Sequence, residues 1–522
     1  MSRGLCIVAA TVLTLAASNI GVASPSPADK CVASAFPHSD GVTIRSVERR
    51  QAPSPHCRVD GYVTTQDPGP NRVNFMLALP DNFNGRYVMT IQGGAAGFVP
   101  DPAATQLATG YAIASTDKGT RPANILDFSW RKDPAQARDW AYRGVHVSAQ
   151  ATQRLTRTYY GDRSFHRFAQ GCSGGGDGTL SNAELYPGDF DGYVAAAMST
   201  SNLEINHIWG AIAQYMYKNP LSWISPEEWA QVHSTMLSRH DGDDGAIDGL
   251  IWNPMGIKLD REDFPYLSDA QFGLMNFIST GLKPEQGTSY PGYWLGNVTA
   301  FPSFLTGTKR PPWTDLQDYP AGFMVTATGA KGFKGPDYDI LQAMNYSDRA
   351  ALIADRDFQA ANGRYQFDPA RIDALEKIGG KLILWSGAAD QAVPPENVLA
   401  YSNALVARHG EARAGKFLRT FFVPGLHHCS MGEGAPTDAP DQLLEAMAIW
   451  VETGKAPEMV IAGNPSRTGG NTVTGLGDGP VATPATRHYK LCAFPARSHF
   501  IGGIGNPTKL DINDAANWRC VK

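Results

Sequence analysis

The chain has 522 residues, of which 43% are hydrophobic and 18% charged, and its formal net charge is −5. This composition excludes a disordered or collagen-like protein, and the length suits two or three domains. No run of basic residues stands out, so we expect no nucleic-acid partner.

The first residues have the pattern of a secretory signal peptide. Arg3 precedes an apolar run over about 5–17, and small residues continue to Ser24. The run is too short for a membrane span. We therefore predict a signal peptide over 1–24, a secreted or periplasmic protein, and no membrane partner.

Six cysteines remain after the signal peptide, and an even number in an exported protein predicts disulfides. They are Cys31, Cys57, Cys172, Cys429, Cys492 and Cys520. Cys31 and Cys57 lie in one turn-rich segment, 25–66, which we expect a disulfide to tie. The sequence leaves open how the cysteines away from the chain's centre pair.

Short apolar runs alternate with helical spacing in the first part of the chain. Such alternation predicts an α/β fold, with a parallel sheet and crossover helices. We predict strands at 73–79, 87–91, 111–115, 166–170 and 193–197, and a helix over 139–160 that ends at Gly161.

The alternation of strand and helix patterns stops over 199–366, a segment rich in aromatic residues, Pro and Gly. This length exceeds an ordinary loop, so we predict an inserted domain. Strand patterns resume at 381–385 and 418–422, followed by a helix over about 442–451 and a loop-rich tail. Segments 25–198 and 367–522 would then form one catalytic domain. Most rings of the insertion are expected to build its own core, and no single one is predicted to contact a substrate.

Residues 171–175 spell Gly-Cys-Ser-Gly-Gly, which fits the G-x-S-x-G pattern of a nucleophile elbow. The pattern places Ser173 on a sharp turn between a strand and a helix, and we expect that helix from about Thr179. The alternative is a glycine-rich loop that contains a serine by chance.

A nucleophilic serine needs a base and an orienting carboxylate, which α/β-hydrolases supply in the order Ser, acid, His. Asp390 follows the strand that ends at Trp385, and His428 follows the strand that ends near Val423. Taken singly, Asp390 suits a turn and His428 an ordinary hydrogen bond. Together with Ser173 they predict a catalytic triad.

Cysteines adjoin two members of this triad. Cys172 precedes Ser173 and Cys429 follows His428. If the serine and histidine are within hydrogen-bond reach, the cysteines are close enough for a disulfide. The alternative is two buried free thiols.

These motifs resemble the tannase and feruloyl esterase family, whose hallmark is Cys-Ser, then Asp, then His-Cys. The similarity continues through the segments 115–119, 139–146, 159–161, 186–192, 426–429 and 511–516 and Cys520. It implies an α/β-hydrolase fold with a large inserted lid domain. It also implies a secreted serine esterase that cleaves esters of aromatic or phenolic acids (feruloyl, galloyl or related aryl esters) through an acyl-enzyme. The partner is then a small-molecule aromatic ester, with no organic cofactor.

Alternative functions on the same residues are an acyltransferase, a peptidase and a non-catalytic binding protein. The intact Ser, Asp and His argue against the last. The chain also departs from the family pattern near the elbow. Residues 175–178 read Gly-Gly-Asp-Gly where the family has Gly-Gly-Arg-Gln, and residues 196–198 read Ala-Ala-Met where it has Gly-Ala-Pro.

An acidic segment over 240–250 lies in the insertion, and a hard cation would neutralise its carboxylates. It does not fit an EF-hand. The resemblance implies a structural calcium in the lid domain, held by the residues Asp241, Asp244 and Asp248 and the backbone carbonyls of Ala246 and Leu250. A solvated acidic turn is the alternative.

The tetrahedral intermediate of ester hydrolysis needs two N–H donors. We expect one from Gly174, next to the nucleophile, and one from the loop 93–95, where Gly94 is preferred. The alternative for this loop is a plain turn. Oligomeric state is not predicted.

Overall fold

The structure is a computed structural model that describes residue 1 and residues 30–37, 39–161, 163–200, 202–283, 289–313, 367–467 and 480–522. Nearly all of the predicted signal peptide, 1–24, lies outside the described residues. So does the part of the insertion over 314–366.

Nine of the described strands form one sheet, in the order β1-β2-β3-β5-β4-β6-β7-β8-β9. The first pairings are antiparallel, and those from β5 to β9 are parallel. The strands are β1 Val42–Arg50, β2 His56–Thr65, β3 Asn71–Pro80, β4 Arg86–Ile91, β5 Ala112–Thr116, β6 His166–Cys172, β7 Gly192–Ala196, β8 Lys381–Gly387 and β9 Leu418–Val423. The predicted parallel sheet is present, with an antiparallel edge.

The helices of the two segments that flank the insertion cover both faces of the sheet. Their bounds are α1 Ala104–Ala108, α2 Pro134–Arg138, α3 Gly144–Tyr160 and α4 Gly174–Leu185, and, after the insertion, α9 Ile372–Lys377, α10 Glu396–His409, α11 Glu411–Ala414 and α12 Ala439–Thr453. Side chains of α3, α4 and α10 share one apolar core with the sheet, and α12 contributes to a second core. The helix predicted over 139–160 is present: a π-helical turn, Asp139–Arg143, comes first, and the regular α-helix α3 follows it.

The N-terminal segment differs from its prediction. It contains the long strands β1 and β2, where the sequence suggested mainly turns. In β2, fully buried residues alternate with half-buried ones over most of its length, because one side of this antiparallel edge faces the core. Cys31 and Cys57 are bonded, which ties the preceding segment to β2.

The helix of the elbow begins at Gly174, five residues before its predicted start at Thr179. Three consecutive glycines weaken a helix by their backbone entropy, which favoured the later start. In the structure they allow close packing instead. A Cβ at Gly175 would collide with the Ile91 carbonyl of β4, and one at Gly176 with the Ala196 carbonyl of β7.

The described part of the insertion is helical and has its own apolar core. Its helices are α5 Asn202–Lys218, α6 Pro226–His240, α7 Asp269–Thr280 and α8 Phe301–Phe304. Ser225 and Ser268 cap α6 and α7 through reciprocal bonds with Glu228 and Gln271. Most aromatic residues of these helices pack against one another, which accounts for the aromatic content of the segment.

The tail is more regular than predicted. Short strand pairs form between β10 Met459–Gly463 and β13 His488–Cys492, between β11 Ser466–Arg467 and β12 Val481–Thr483, and between β14 Arg497–Phe500 and β15 Trp518–Val521. Cys492 is bonded to Cys520. None of the described helices combines the length and the apolar character that crossing a membrane requires.

Candidate active site

Ser173 occupies the sharp turn between β6 and α4. Its φ of 60° and ψ of −129° are rare for a residue with a side chain. Its N–H donates to the Ala196 carbonyl of β7 at 3.0 Å. The turn also requires glycine at 171, because a Cβ there would collide with the Gly175 backbone. Strain held by such surroundings is typical of functional residues.

Asp390 and His428 are in direct contact. The Asp390 Oδ2 atom lies 2.8 Å from His428 Nδ1, and the carboxylate is fully buried. Asp390 Oδ1 accepts two backbone N–H bonds, from Ala392 and Val393, both at 2.8 Å. These bonds fix the carboxylate, so that it can orient the imidazole with Nε2 directed away from it.

The histidine loop is held at two further points. The His428 N–H donates to Gln391 Oε1 at 3.0 Å. Cys429 is bonded to Cys172, with their Cα atoms 5.7 Å apart, and this bond joins the loop to the last residue of β6. Gln391 was not singled out from the sequence, although it directly follows Asp390.

Gly94 and Gly174, the two predicted oxyanion donors, lie side by side. A Cβ added at Gly174 would lie 3.1 Å from the Gly94 nitrogen. Gly174 opens α4, where N–H groups have no partner within the helix. The N–H of Ala95 donates to the Ile125 carbonyl at 2.8 Å, so within this loop the geometry favours Gly94 over Ala95.

A cavity of about 230 Å³ opens at these residues, and Ser173, His428 and Gly94 all line it. Its remaining walls are mostly apolar side chains from the loop after β5, from the insertion and from the two loops of the acid and the histidine: Ile125, Leu126, Trp209, Phe304, Val393 and Met431. None of these was predicted, because each reaches the cavity through tertiary packing that no local pattern encodes.

Trp209 connects the insertion to the acid loop. Its indole Nε1 donates to the Ala392 carbonyl at 3.0 Å, and the Tyr293 hydroxyl donates to the same oxygen at 2.8 Å. Trp209 also stacks edge-on against Phe304, with ring centroids 5.3 Å apart. The insertion therefore contacts the acid loop at Ala392, two residues after Asp390 in the chain.

The acidic segment folds into a tight loop whose carboxylates accept bonds from its own backbone. Asp241 accepts from the N–H groups of Asp248 and Gly249, and Asp244 Oδ1 accepts from Ala246. Asp248 accepts from Leu250 N–H and Trp252, and it is ion-paired with Arg487. Within the described ranges, no group of three or more Asp, Glu, His or Cys side chains is gathered to hold a metal ion.

One atom of this loop nevertheless fits a cation. Asp244 Oδ2 is buried and has no hydrogen-bond partner. Burial, with Asp248 and Asp241 nearby, raises the pKa of Asp244 to about 8. A bound cation would neutralise this oxygen, so the residues are compatible with the calcium that the sequence predicts.

Comparison with known proteins places the whole arrangement in one family. The family model described as "Tannase and feruloyl esterase" matches residues 57–273 and 327–520. A probable feruloyl esterase B-1 of Aspergillus fumigatus is 28% identical over 495 residues, which cover 89% of this chain and 85% of the relative. A probable feruloyl esterase B-2 of Aspergillus terreus is 27% identical and covers 93% of this chain and 89% of the relative.

Solved structures show the same fold. Feruloyl esterase B from Aspergillus oryzae superposes with a TM-score of 0.77 at 22% identity, covering 95% of this chain and all of that one. Tannin acyl hydrolase from Aspergillus niger gives a TM-score of 0.73 at 18% identity, covering 96% of each chain. The predicted α/β-hydrolase fold is thereby confirmed. With the family model matching most of its length, the chain belongs to the tannase and feruloyl esterase family of carboxylic ester hydrolases.

Proposed function

We propose that this protein is a secreted serine esterase that hydrolyses esters of aromatic or phenolic acids through an acyl-enzyme. The observation that carries the proposal is the Asp390–His428 pair, bonded at 2.8 Å at the cavity that also exposes the strained Ser173. The names of the relatives, feruloyl esterase and tannin acyl hydrolase, support the substrate class. The N-terminal sequence pattern and three disulfides support export.

In the proposed mechanism, Ser173 Oγ attacks the ester carbonyl while His428 Nε2 takes the serine proton. Asp390 holds the imidazole in position and stabilises its protonated form. The oxyanion that forms accepts N–H bonds from Gly174 and Gly94. The alcohol leaves with the proton from His428. Water then attacks the acyl-enzyme while His428 takes a proton from it, and the carboxylic acid leaves as His428 returns the proton to Ser173 Oγ.

The acid of the substrate would occupy the apolar part of the cavity. A space of about 230 Å³ between Trp209, Phe304, Ile125 and Leu126 suits a single planar ring and its linker. Aromatic walls favour a flat acyl group over a flexible aliphatic one of equal size, because ring stacking adds to apolar burial.

A panel of methyl esters tests the proposal. We expect hydrolysis of hydroxycinnamic and hydroxybenzoic esters with a higher kcat/KM than of the ester of a straight-chain acid with the same number of carbons. Rapid mixing with an aryl ester should release one equivalent of alcohol in a burst, since the acyl-enzyme accumulates when its hydrolysis is slow. No turnover of any ester would overturn the esterase proposal. Transfer to an added alcohol in preference to water would support the acyltransferase.

We further propose that calcium binds the loop formed by Asp241, Asp244 and Asp248, with the carbonyls of Ala246 and Leu250. The unpartnered, buried Asp244 Oδ2 supports this. The ion's charge would offset that of the Asp244 carboxylate and stabilise the insertion.

Metal analysis and thermal unfolding test the calcium proposal. A chelator should lower the Tm, because a ligand that binds only the folded state adds stability by mass action. Asp244→Asn should abolish this chelator effect. Asp243→Asn is the matched control, since Asp243 is exposed and outside the ligand set, and it should keep the effect. Protein purified without chelator that contains no calcium would refute the proposal.

A further inference from the structure

Lys118 is a buried amine that the proposed mechanism does not use. It follows β5 in a tight turn, has a φ of 55° and is wholly inaccessible to solvent. Its Nζ atom donates a hydrogen bond to the Gly174 carbonyl at 2.8 Å. The side chain thus reaches from the turn after β5 to the residue next to the nucleophile.

Trp140, in the π-helical turn before α3, joins Lys118 to the second donor. The Lys118 Nζ lies over the Trp140 ring, 4.0 Å from its centroid. The indole Nε1 donates to the Gly94 carbonyl at 3.0 Å. A Cβ added at Gly174 would lie 3.2 Å from Trp140 Cζ2, so the ring touches both glycines.

These two bonds restrain the backbone of two glycines. Glycine has a wide choice of backbone angles, and Gly94 already uses one with a φ of 54°. The carbonyl of each glycine and its own N–H lie in two successive peptide planes that meet at the glycine Cα. Fixing the carbonyl holds one of these planes and limits how far the Cα, and with it the N–H, can move. Lys118 and Trp140 therefore restrain the two residues that carry the donors, while the Ser173 carbonyl, which accepts from the Asp177 N–H at 2.8 Å, holds the peptide plane of the Gly174 N–H itself.

The surroundings of Lys118 are arranged around its charge. A buried ammonium group is costly unless a counter-charge lies near. Asp177, in the first turn of α4, favours the charged form, while burial and the buried Arg131 oppose it and lower the pKa of Lys118 to about 7. Asp177 is itself fixed by the N–H and hydroxyl of Ser199, at 2.8 and 2.9 Å.

We infer that Lys118 is a positioning residue for the oxyanion hole, which holds the Gly174 backbone directly and the Gly94 backbone through Trp140. The inference rests on the proposed function, since the two glycines are donors only if Ser173 is the nucleophile. An amine donates this bond in either protonation state, so Lys118 serves on both sides of neutral pH.

The main test is the double variant Lys118→Met and Asp177→Asn, which removes the bond together with one buried charge of each sign. It is measured beside Asp177→Asn, which keeps the bond and shows what the loss of Asp177 does to the buried Arg131. With 4-nitrophenyl acetate as substrate, we expect the kcat of the double variant to fall about 10- to 100-fold and its KM to stay within about twofold, because the oxyanion exists only in the transition state. A phenylboronic acid, which forms a tetrahedral adduct with the serine, should lose affinity by a similar factor.

Two further variants make the result decisive. Lys381→Met is the matched control, because Lys381 also donates to a backbone carbonyl, that of Lys416 at 3.1 Å. Lys381 is the first residue of β8, whereas the candidate site lies beyond the last residue of that strand, so kcat should not change. Trp140→Phe removes the bond to Gly94 and replaces the buried indole with a smaller ring, so the Tm should fall somewhat. In the folded variant, kcat should fall several-fold. This variant decides the question if the double variant does not fold.

Wild-type kcat and boronate affinity in the folded double variant, or wild-type kcat in Trp140→Phe where the double variant does not fold, would overturn the positioning role. That outcome would leave the esterase proposal intact. Loss of turnover with unchanged boronate affinity would also overturn it, since general disorder of the site and not the oxyanion hole would then be responsible. Failure of the esterase proposal itself is recognised separately, by the absence of ester turnover in the wild type.

Discussion

The two sides of the cavity are built in different ways. On the sheet side, Ser173, Asp390 and His428 follow the ends of β6, β8 and β9, and backbone bonds or a disulfide fix each of them. On the insertion side, Trp209 and Phe304 offer the cavity mainly ring surface. Under the proposed function, the sheet side would supply the chemistry and the insertion side the selection of the acid.

The largest effect should come from the sheet side. Ser173→Ala removes the nucleophile, and we expect kcat to fall at least about 10⁴-fold while the protein stays folded and still binds aryl esters. Ser181→Ala, at a buried serine of α4, the helix that follows Ser173, is the control and should keep nearly full activity. Near-normal turnover by Ser173→Ala would mean that another group is the nucleophile.

The next effect concerns the bond between the elbow and the histidine loop. Replacing both Cys172 and Cys429 by alanine should reduce kcat by on the order of a hundredfold, because the histidine loop can then shift by about 1 Å. The chain-entropy model gives a stability loss of about 5 kcal/mol for this long loop, with wide scatter.

The bond between Cys31 and Cys57 provides the comparison for that variant. It spans 26 residues, against 257 for the central one, and it lies in the N-terminal edge of the fold. Its removal should lower the Tm and leave kcat unchanged. Measuring kcat at 25 °C and Tm for both pairs separates the two effects. Equal loss of activity in both would show that the central bond acts only through stability.

A smaller effect is expected on the insertion side. Phe304→Ala should raise KM for aryl esters about tenfold with little change for acetyl esters, since truncation of one apolar wall costs about 1–3 kcal/mol of binding. Phe304→Leu keeps most of the volume and should lie between. A change in kcat for acetyl esters equal to that for aryl esters would contradict the division between the two sides.

The smallest expected effect is a pH dependence of the free energy of unfolding, which arises where α4 contacts the residues just after the insertion. Glu184, at the end of α4, accepts bonds from Tyr401 and from the N–H of Asp368, just after the insertion. Burial raises the pKa of Glu184 to about 8. Its protonated form therefore stabilises the fold fully below about pH 4.5, and this stability is lost as pH rises through about 8.

Thermal unfolding at pH 5 and pH 8 checks this. Glu184→Gln should reduce the difference in Tm between the two pH values by a few degrees. Glu227→Gln, at an exposed position of α6, should leave the difference unchanged. An unaltered difference in Glu184→Gln would show that the carboxyl is ionised at both pH values.

The strands on the sheet side could be predicted from the sequence because their apolar pattern is local. The candidate triad residues follow strands with a clear apolar pattern, in the chain order of the fold, and the structure places Asp390 and His428 in contact. The sequence also placed a cysteine beside Ser173 and beside His428, which led to the disulfide.

Other features could not be predicted because they depend on long-range packing. Helix α4 starts earlier than predicted because its first glycines pack closely against the backbone of β4 and β7, and this packing outweighs their poor helix propensity. Asp177 appears in the sequence only as a departure from the family pattern, and its relation to Lys118 emerges from the fold. The contact of Trp209 with Ala392 joins residues 183 apart in the chain, and no pattern signals it.

The glycine-packed first turn of α4 has a practical consequence for redesign of the enzyme. No side chain can be added at 175 or 176 without a collision with the backbone of β4 or β7. Mutagenesis libraries that seek a new acid preference should therefore leave this turn untouched and vary Ile125, Leu126 and Phe304. The first turn of α4 must therefore keep its sequence in any redesign, whereas the side chains that line the cavity can be varied.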